Sequence, residues 1–203
     1  MTSTAPQRLS IDGPAGKLEI AVNDPGNTRR GIAVIAHPHP LYGGTLDNKV
    51  VQTLAKAFFA LDYCALRLNF RGVGGSDGVF DEGRGELEDF TALVDYGRKN
   101  YGRTGLAIGG FSFGGYVAAA AAEKLSPDQL VLAAPAVGRF PVGSVQPNAL
   151  VVHGEEDDVV PLKDVLDWAR PQQLPVTVFP GAGHFFHGAL VTLQRLVEIH
   201  CRA

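Results

Sequence analysis

Residues 110 to 114 read Gly110, Phe111, Ser112, Phe113 and Gly114, a G-x-S-x-G pattern set between the apolar run LAIGG and an alanine-rich segment of helical composition. This is the pattern of a nucleophile elbow, in which a serine on a sharp strand-to-helix turn projects its hydroxyl away from the backbone. Such a serine must hold an unfavourable backbone conformation, and glycines two residues either side keep Cβ atoms apart where strand and helix nearly touch. The pattern is short and the chain holds 25 glycines, so context has to carry it. A strand before, a helix after and a third glycine at Gly115 all agree with an elbow; a plain glycine-rich turn is the alternative.

A serine hydroxyl is a weak nucleophile at neutral pH, so a histidine must accept its proton and a carboxylate must orient that histidine. Both residue types follow Ser112 in an order such sites use. After the apolar run ALVVHG comes an acidic loop, Glu155, Glu156, Asp157 and Asp158, at the end of a strand where ligands gather in parallel sheets. Asp157 is the candidate acid, with Asp158 its rival and a merely solvated loop the bland alternative. After VTVFPG, the loop Gly181, Ala182, Gly183, His184 supplies the candidate base. His187 and His200 fall on the final helical segment, where packing or surface roles are the norm, and His153 is expected to shape the acid loop.

Acyl transfer also needs donors for the tetrahedral oxyanion. One is the N–H of Phe113, directly after the nucleophile; the other is expected from the loop His37, Pro38, His39, Pro40, Leu41, Tyr42, Gly43, Gly44. Prolines have no N–H, which leaves His39 as the favoured donor and Leu41 as the alternate. His37 and His39 could also be read as a metal pair, but no third ligand stands at a recognisable spacing, so neither a metal nor a cofactor is expected.

Alternating short apolar runs and longer segments of helical period must position these groups. That alternation argues an α/β fold: a mostly parallel sheet of about eight strands with helices on both faces. RLSID and KLEIAV, separated by Gly13, Pro14 and Gly16, read as a hairpin at one sheet edge. GIAVIAH, YCALRLNF, LAIGGF, LVLAAPA, ALVVHG and VTVFPG read as further strands. NKVVQTLAKAFFALD places Val50, Val51, Leu54, Ala57, Phe58 and Leu61 on one helical face, with Asp47 available as a cap. GELEDFTALVDYGRK, GGYVAAAAAEKL, LKDVLDWAR and HGALVTLQRLVEIHC are the other expected helices.

The chain has 203 residues, 45% hydrophobic and 19% charged, which favours a single domain over residues 1–203. A net charge of −3 gives no footprint for a nucleic-acid backbone. No apolar stretch is long enough for a membrane span, and the opening lacks the pattern of a signal peptide, so a cytoplasmic location is expected. Cys64 and Cys201 do not look like a disulfide framework.

With HPHPLYGG, NKVV, LNFRGVGGSDG, GFSFGG, HGEEDDVVP and GAGHFF in view, the chain resembles the α/β-hydrolase superfamily from about residue 9 to its end. Within it the motifs look like small lidless bacterial serine hydrolases related to dienelactone-hydrolase-like and prolyl-peptidase-like enzymes. The resemblance implies a nucleophile at Ser112, an acid at Asp157, a base at His184, and oxyanion donation by Phe113 and the HPHP loop. It implies a small-molecule ester or other acyl substrate, and a structural role for Arg71 to Asp77. Dienelactone hydrolases proper use cysteine where this chain has Ser112, which argues against that activity. Only GRFPVGSVQPN separates LVLAAPAV from ALVVHG, a loop with no room for a cap. An open site edged by Leu41, Tyr42, Phe111, Phe113 and Phe185 then suits small apolar acyl groups. A thioesterase, a peptidase and a non-catalytic interaction module are the competing expectations.

Overall fold

Ile32, Val34 and Ala36 point to one side of a strand and Ala33 and Ile35 to the other, and all five are fully buried. A strand apolar on both faces belongs inside a sheet covered on both sides. The computed structural model describes residues 5–102 and 105–202 and shows that arrangement. The elements run β1 (Gln7–Gly13), β2 (Gly16–Asn23), β3 (Gly31–Ala36), α1 (Lys49–Ala60), β4 (Tyr63–Leu68), α2 (Arg84–Tyr101) and β5 (Leu106–Phe111). They continue with α3 (Phe113–Leu125), β6 (Gln129–Ala133), β7 (Leu150–Gly154), α4 (Leu162–Ala169), β8 (Val176–Phe179) and α5 (Leu190–His200).

The eight strands form one sheet in the order β1-β2-β4-β3-β5-β6-β7-β8. β1 and β2 make the expected edge hairpin; β2 pairs antiparallel with β4, and every later pairing is parallel. One face packs Phe90, Leu93 and Val94 of α2, Val117 and Ala118 of α3 and Val165 of α4. The other packs Val51, Leu54 and Phe58 of α1 against Leu193 and Val197 of α5. The chain steps from β3 outward to β4, then crosses back to β5 on the other side of β3. That reversal opens a crevice above the C-terminal ends of β3 and β5, where open α/β sheets bind ligands.

Several boundaries differ from the sequence-based expectation. Asn48, not Asp47, caps α1: its Oδ1 accepts the N–H groups of Val50 (2.9 Å) and Val51 (3.4 Å). Asp47 instead pairs with Arg8 through contacts of 2.5 and 2.7 Å, a partner 39 residues away. β6 stops at Ala133 because Ala134 turns to a positive φ of 43° ahead of Pro135. α5 starts at Leu190, so His187 lies in the preceding turn rather than on the helix; Phe186 (φ 53°) and Gly188 (φ 77°) bend the chain there. His200 does end α5. Residues 134–149, between β6 and β7, form a loop with one isolated bridge, Val137 to Phe140, and no cap.

Candidate active site

Gly110 ends the run of β5 that pairs with Ala36 of β3, and Ser112 stands between β5 and α3 at φ 57° and ψ −118°. That conformation costs roughly 1–3 kcal/mol in a residue with a Cβ and persists only where the surroundings over-determine it. They do. Ser112 N–H donates to Ala133 O (3.0 Å), while Ser112 O accepts from Gly115 N–H (2.8 Å) and Ala136 N–H (3.1 Å). Glycine is required on both flanks by close approach: a Cβ on Gly110 would stand 2.1 Å from Gly114 O, and one on Gly114 2.4 Å from Ala36 O.

From that turn Ser112 Oγ lies 3.0 Å from His184 Nε2, and His184 Nδ1 lies 2.7 Å from Asp157 Oδ2. The carboxylate fixes the tautomer: Nδ1–H donates to Asp157, which leaves Nε2 bare to accept the serine proton. Asp157 Oδ1 accepts the N–H groups of Val159 (2.9 Å) and Val160 (2.7 Å). Burial alone would raise the Asp157 carboxyl, but the His184 and Val160 hydrogen bonds and the two neighbouring imidazoles hold it below its ordinary value. Asp158, its rival in the sequence, is exposed and lines the pocket instead.

His153 supports the acid loop as expected. Its Nε2–H donates to Val160 O (2.8 Å) and lies 3.3 Å from Asp157 Oδ2, while burial pushes the imidazole below its ordinary value and keeps it neutral. His37 and His39 do not converge as a ligand pair. Both nitrogens of His37 are taken by backbone groups, and His39 Nδ1 accepts Leu41 N–H (3.2 Å). That bond also occupies the Leu41 N–H, whereas among the described residues neither His39 N–H nor Phe113 N–H has a protein acceptor. Phe113 opens α3, where the first N–H groups of a helix lack intrahelical partners and carry its positive end.

A pocket of about 380 Å³ lies over these atoms, lined among others by His39, Tyr42, Asn48, Arg139, Asp158 and Phe185. Ser112 and His184 are 7% and 4% exposed, so their side chains lie on its floor rather than at the surface. Tyr42 and Phe185 are exposed apolar side chains in its lining, while Leu41, also expected there, is exposed but does not line it. Phe111 and Phe113, expected beside them, are fully buried; Phe113 packs on His39, Phe70, Phe80 and Phe140 and forms part of the wall's foundation. The turn at Ser112 sends the Phe111 ring into one core layer and the Phe113 ring into the other.

The loop from Arg71 to Asp77 is tied down around this floor. Arg71 makes a bidentate pair with the fully buried Asp89 (2.8 and 3.0 Å), and its backbone N–H reaches the same carboxylate. Ser76 Oγ–H donates to Asn69 O (2.7 Å) and its oxygen accepts Glu19 N–H (2.9 Å). Glu86, also fully buried, accepts the N–H groups of Asp81 (2.9 Å) and Gly83 (2.7 Å) at the start of α2. Neither buried acid was singled out from sequence, because each reads there as one more charge on an amphipathic helix.

Comparison with known proteins places the chain among serine hydrolases of this fold. A family model described as "Serine aminopeptidase, S33" matches residues 31–142. The structure of an α/β serine hydrolase without a lid from Xanthomonas campestris superposes with a TM-score of 0.91 at 37% identity, covering 98% of this chain and 95% of that one. An α-β serine hydrolase homologue from Coxiella burnetii gives 0.87 at 37% identity, covering 99% and 100%. An uncharacterised protein of Rickettsia prowazekii is 32% identical over 204 residues, 88% of this chain and 82% of that protein. Among the described residues no helix is long and apolar enough to cross a membrane. The chain belongs to the serine aminopeptidase S33 family and has the lidless α/β serine hydrolase fold.

Proposed function

We propose that this protein hydrolyses small acyl esters through a covalent acyl-enzyme formed on Ser112. The observation that carries the reading is the unbroken line from Ser112 Oγ through His184 to Asp157 on the floor of a pocket. Ser112 Oγ attacks the acyl carbon as its proton passes to His184 Nε2. The carbonyl oxygen, now an oxyanion, is held by the N–H groups of Phe113 and His39. His184 returns the proton to the leaving alcohol; water, deprotonated by the same nitrogen, then attacks the acyl-enzyme and releases the acid and free Ser112. Asp157 stabilises the imidazolium at each stage and keeps its own charge. No cofactor enters this sequence.

The volume of about 380 Å³ and the apolar rim of Tyr42 and Phe185 favour a short acyl group. One observation favours a second reading, a peptidase accepting a free amino terminus: the exposed Asp158 carboxylate lines the same pocket and suits an ammonium group. The two are separated by kcat/KM on matched acetyl, butyryl and decanoyl esters, a thioester, and an aminoacyl anilide. The ester reading expects acetyl and butyryl esters to lead, with turnover absent in Ser112→Ala. Preference for the anilide would favour the peptidase, and Ser112→Ala hydrolysing esters at the wild-type rate would remove the mechanism altogether.

A further inference from the structure

Proton transfer, support of the acid loop and oxyanion binding leave one fully buried histidine without a task. His37 follows β3 directly, and its ring packs on Phe70 with centroids 4.6 Å apart. Nε2 accepts Phe70 N–H (3.0 Å); since a backbone N–H only donates, Nε2 carries no proton. Nδ1 therefore bears it and donates to Pro38 O (2.6 Å). The residue thus ties the end of β3 to the chain leaving β4, and spends its remaining donor on a single carbonyl.

That carbonyl belongs to the same peptide unit as the N–H of His39. No cis peptide bond occurs among the described residues, and in a trans peptide the C=O and N–H point in opposite directions. Whatever holds Pro38 O therefore aims the His39 N–H. The next peptide unit and the neighbouring glycine are fixed as well. His39 O accepts the N–H groups of Tyr42 and Gly44, both at 3.1 Å. Gly44 lies so close that a Cβ there would stand 2.0 Å from Pro38 O. An oxyanion donor is effective only when it is aimed before charge develops, because reorientation during the reaction would consume the stabilisation it offers.

We propose that His37 is a positioning residue for the oxyanion site: by holding Pro38 O it fixes the direction in which the His39 N–H meets the developing charge. This rests on the reading that Ser112 attacks an acyl carbon. His37 itself touches neither substrate nor the reacting atoms.

The test is steady-state kinetics on folded His37→Asn, His37→Gln and Gly44→Ala, together with binding of a trifluoromethyl ketone whose hemiketal oxygen mimics the oxyanion. An asparagine amide reaches the Nδ1 position and keeps the bond to Pro38; a glutamine amide reaches the Nε2 position and keeps only the bond to Phe70. His37→Gln is expected to lose about 10²-fold in kcat with KM within about twofold, and to bind the ketone about 10²-fold more weakly. His37→Asn should retain kcat within about fivefold. Gly44→Ala, which pushes the same peptide from the other side, should lose kcat as His37→Gln does. In all three the acidic limb of the pH profile stays where it lies in the wild type.

Equal losses in the Asn and Gln variants, a loss confined to KM, or an unchanged His37→Gln would overturn the proposal. Should His37→Gln fail to fold, a folded Gly44→Ala with wild-type kcat and ketone affinity overturns it as well. Failure of the Ser112 reading shows separately, in wild-type protein whose turnover survives Ser112→Ala.

Discussion

Replacing Asp157 by Asn exchanges one oxygen for an NH₂ group, and the surrounding hydrogen bonds dictate which one. Oδ1 accepts two backbone N–H groups, from Val159 and Val160, so the amide oxygen must occupy that position. The NH₂ then takes the place of Oδ2, 2.7 Å from His184 Nδ1, where it can only donate. His184 answers by moving its proton to Nε2, which now points an N–H at Ser112 Oγ and cannot accept the serine proton. The same NH₂ also faces the Nε2–H of His153, 3.3 Å away, two donors without an acceptor between them. A wrong-tautomer histidine lowers kcat by about 10⁴, or about 5 kcal/mol of barrier, while leaving the pocket intact. Stopped assays on a short ester, with KM and thermal midpoint measured alongside, would show kcat down by that factor and KM nearly unchanged. Asp158→Asn in the same assay should stay within about threefold of wild type. An Asp157→Asn enzyme retaining a tenth of wild-type kcat, or an equal loss in Asp158→Asn, would refute the assignment of the acid.

Gly110→Ala would place a Cβ 2.1 Å from Gly114 O, and both atoms belong to rigid elements. Separating them by about 1 Å should destabilise the fold by about 3 kcal/mol and, through misplacement of Ser112, lower kcat by about 10². Denaturant melts and ester kinetics on one preparation measure both, and wild-type values for both would contradict the tight elbow. Stability should also fall with acidification. Burial pushes His37 down to about 4 from an ordinary 6.5, so between those values the unfolded chain binds a proton that the folded chain refuses. Stability is therefore full above about 6.5 and declines toward pH 4 by about 3 kcal/mol, with His153 adding in the same direction. Urea midpoints across that range should slope for wild type and flatten in His37→Asn; parallel curves would show that His37 is not the source.

Strands and helices were legible in the sequence wherever burial and periodicity coincide. The apolar run from Gly31 to Ala36 could only be an interior strand, and the stripe from Val50 to Leu61 could only be a helix face. The elbow was legible because its glycines and serine stand within five residues, and the Gly110 approach to Gly114 O is local, although the demand on Gly114 comes from distant Ala36 O. Asp157 and His184 were legible as types at strand ends, with Asp157 the candidate acid and Asp158 its rival; the structure buries the first beside His184 and exposes the second. What could not be read depends on contacts between distant segments. Asp47 pairs with Arg8, 39 residues away, and Asp89 of α2 neutralises Arg71 in the loop after β4. His37 looked like half of a metal pair because alternate residues of an extended segment share a side; the turn at Pro38 sends its ring inward to Phe70 while His39 lines the pocket. Phe111 and Phe113 flank the nucleophile in sequence, yet both rings are fully buried while the Ser112 side chain faces the pocket floor.

Labelling with a fluorophosphonate probe, followed by mass spectrometry of the modified peptide, tests the activated nucleophile without any knowledge of the substrate. The account predicts one modification, on Ser112, absent from folded Ser112→Ala and strongly slowed in Asp157→Asn. Folded wild-type protein that remains unmodified, or modification at another residue, would contradict it and favour a non-catalytic role for the fold.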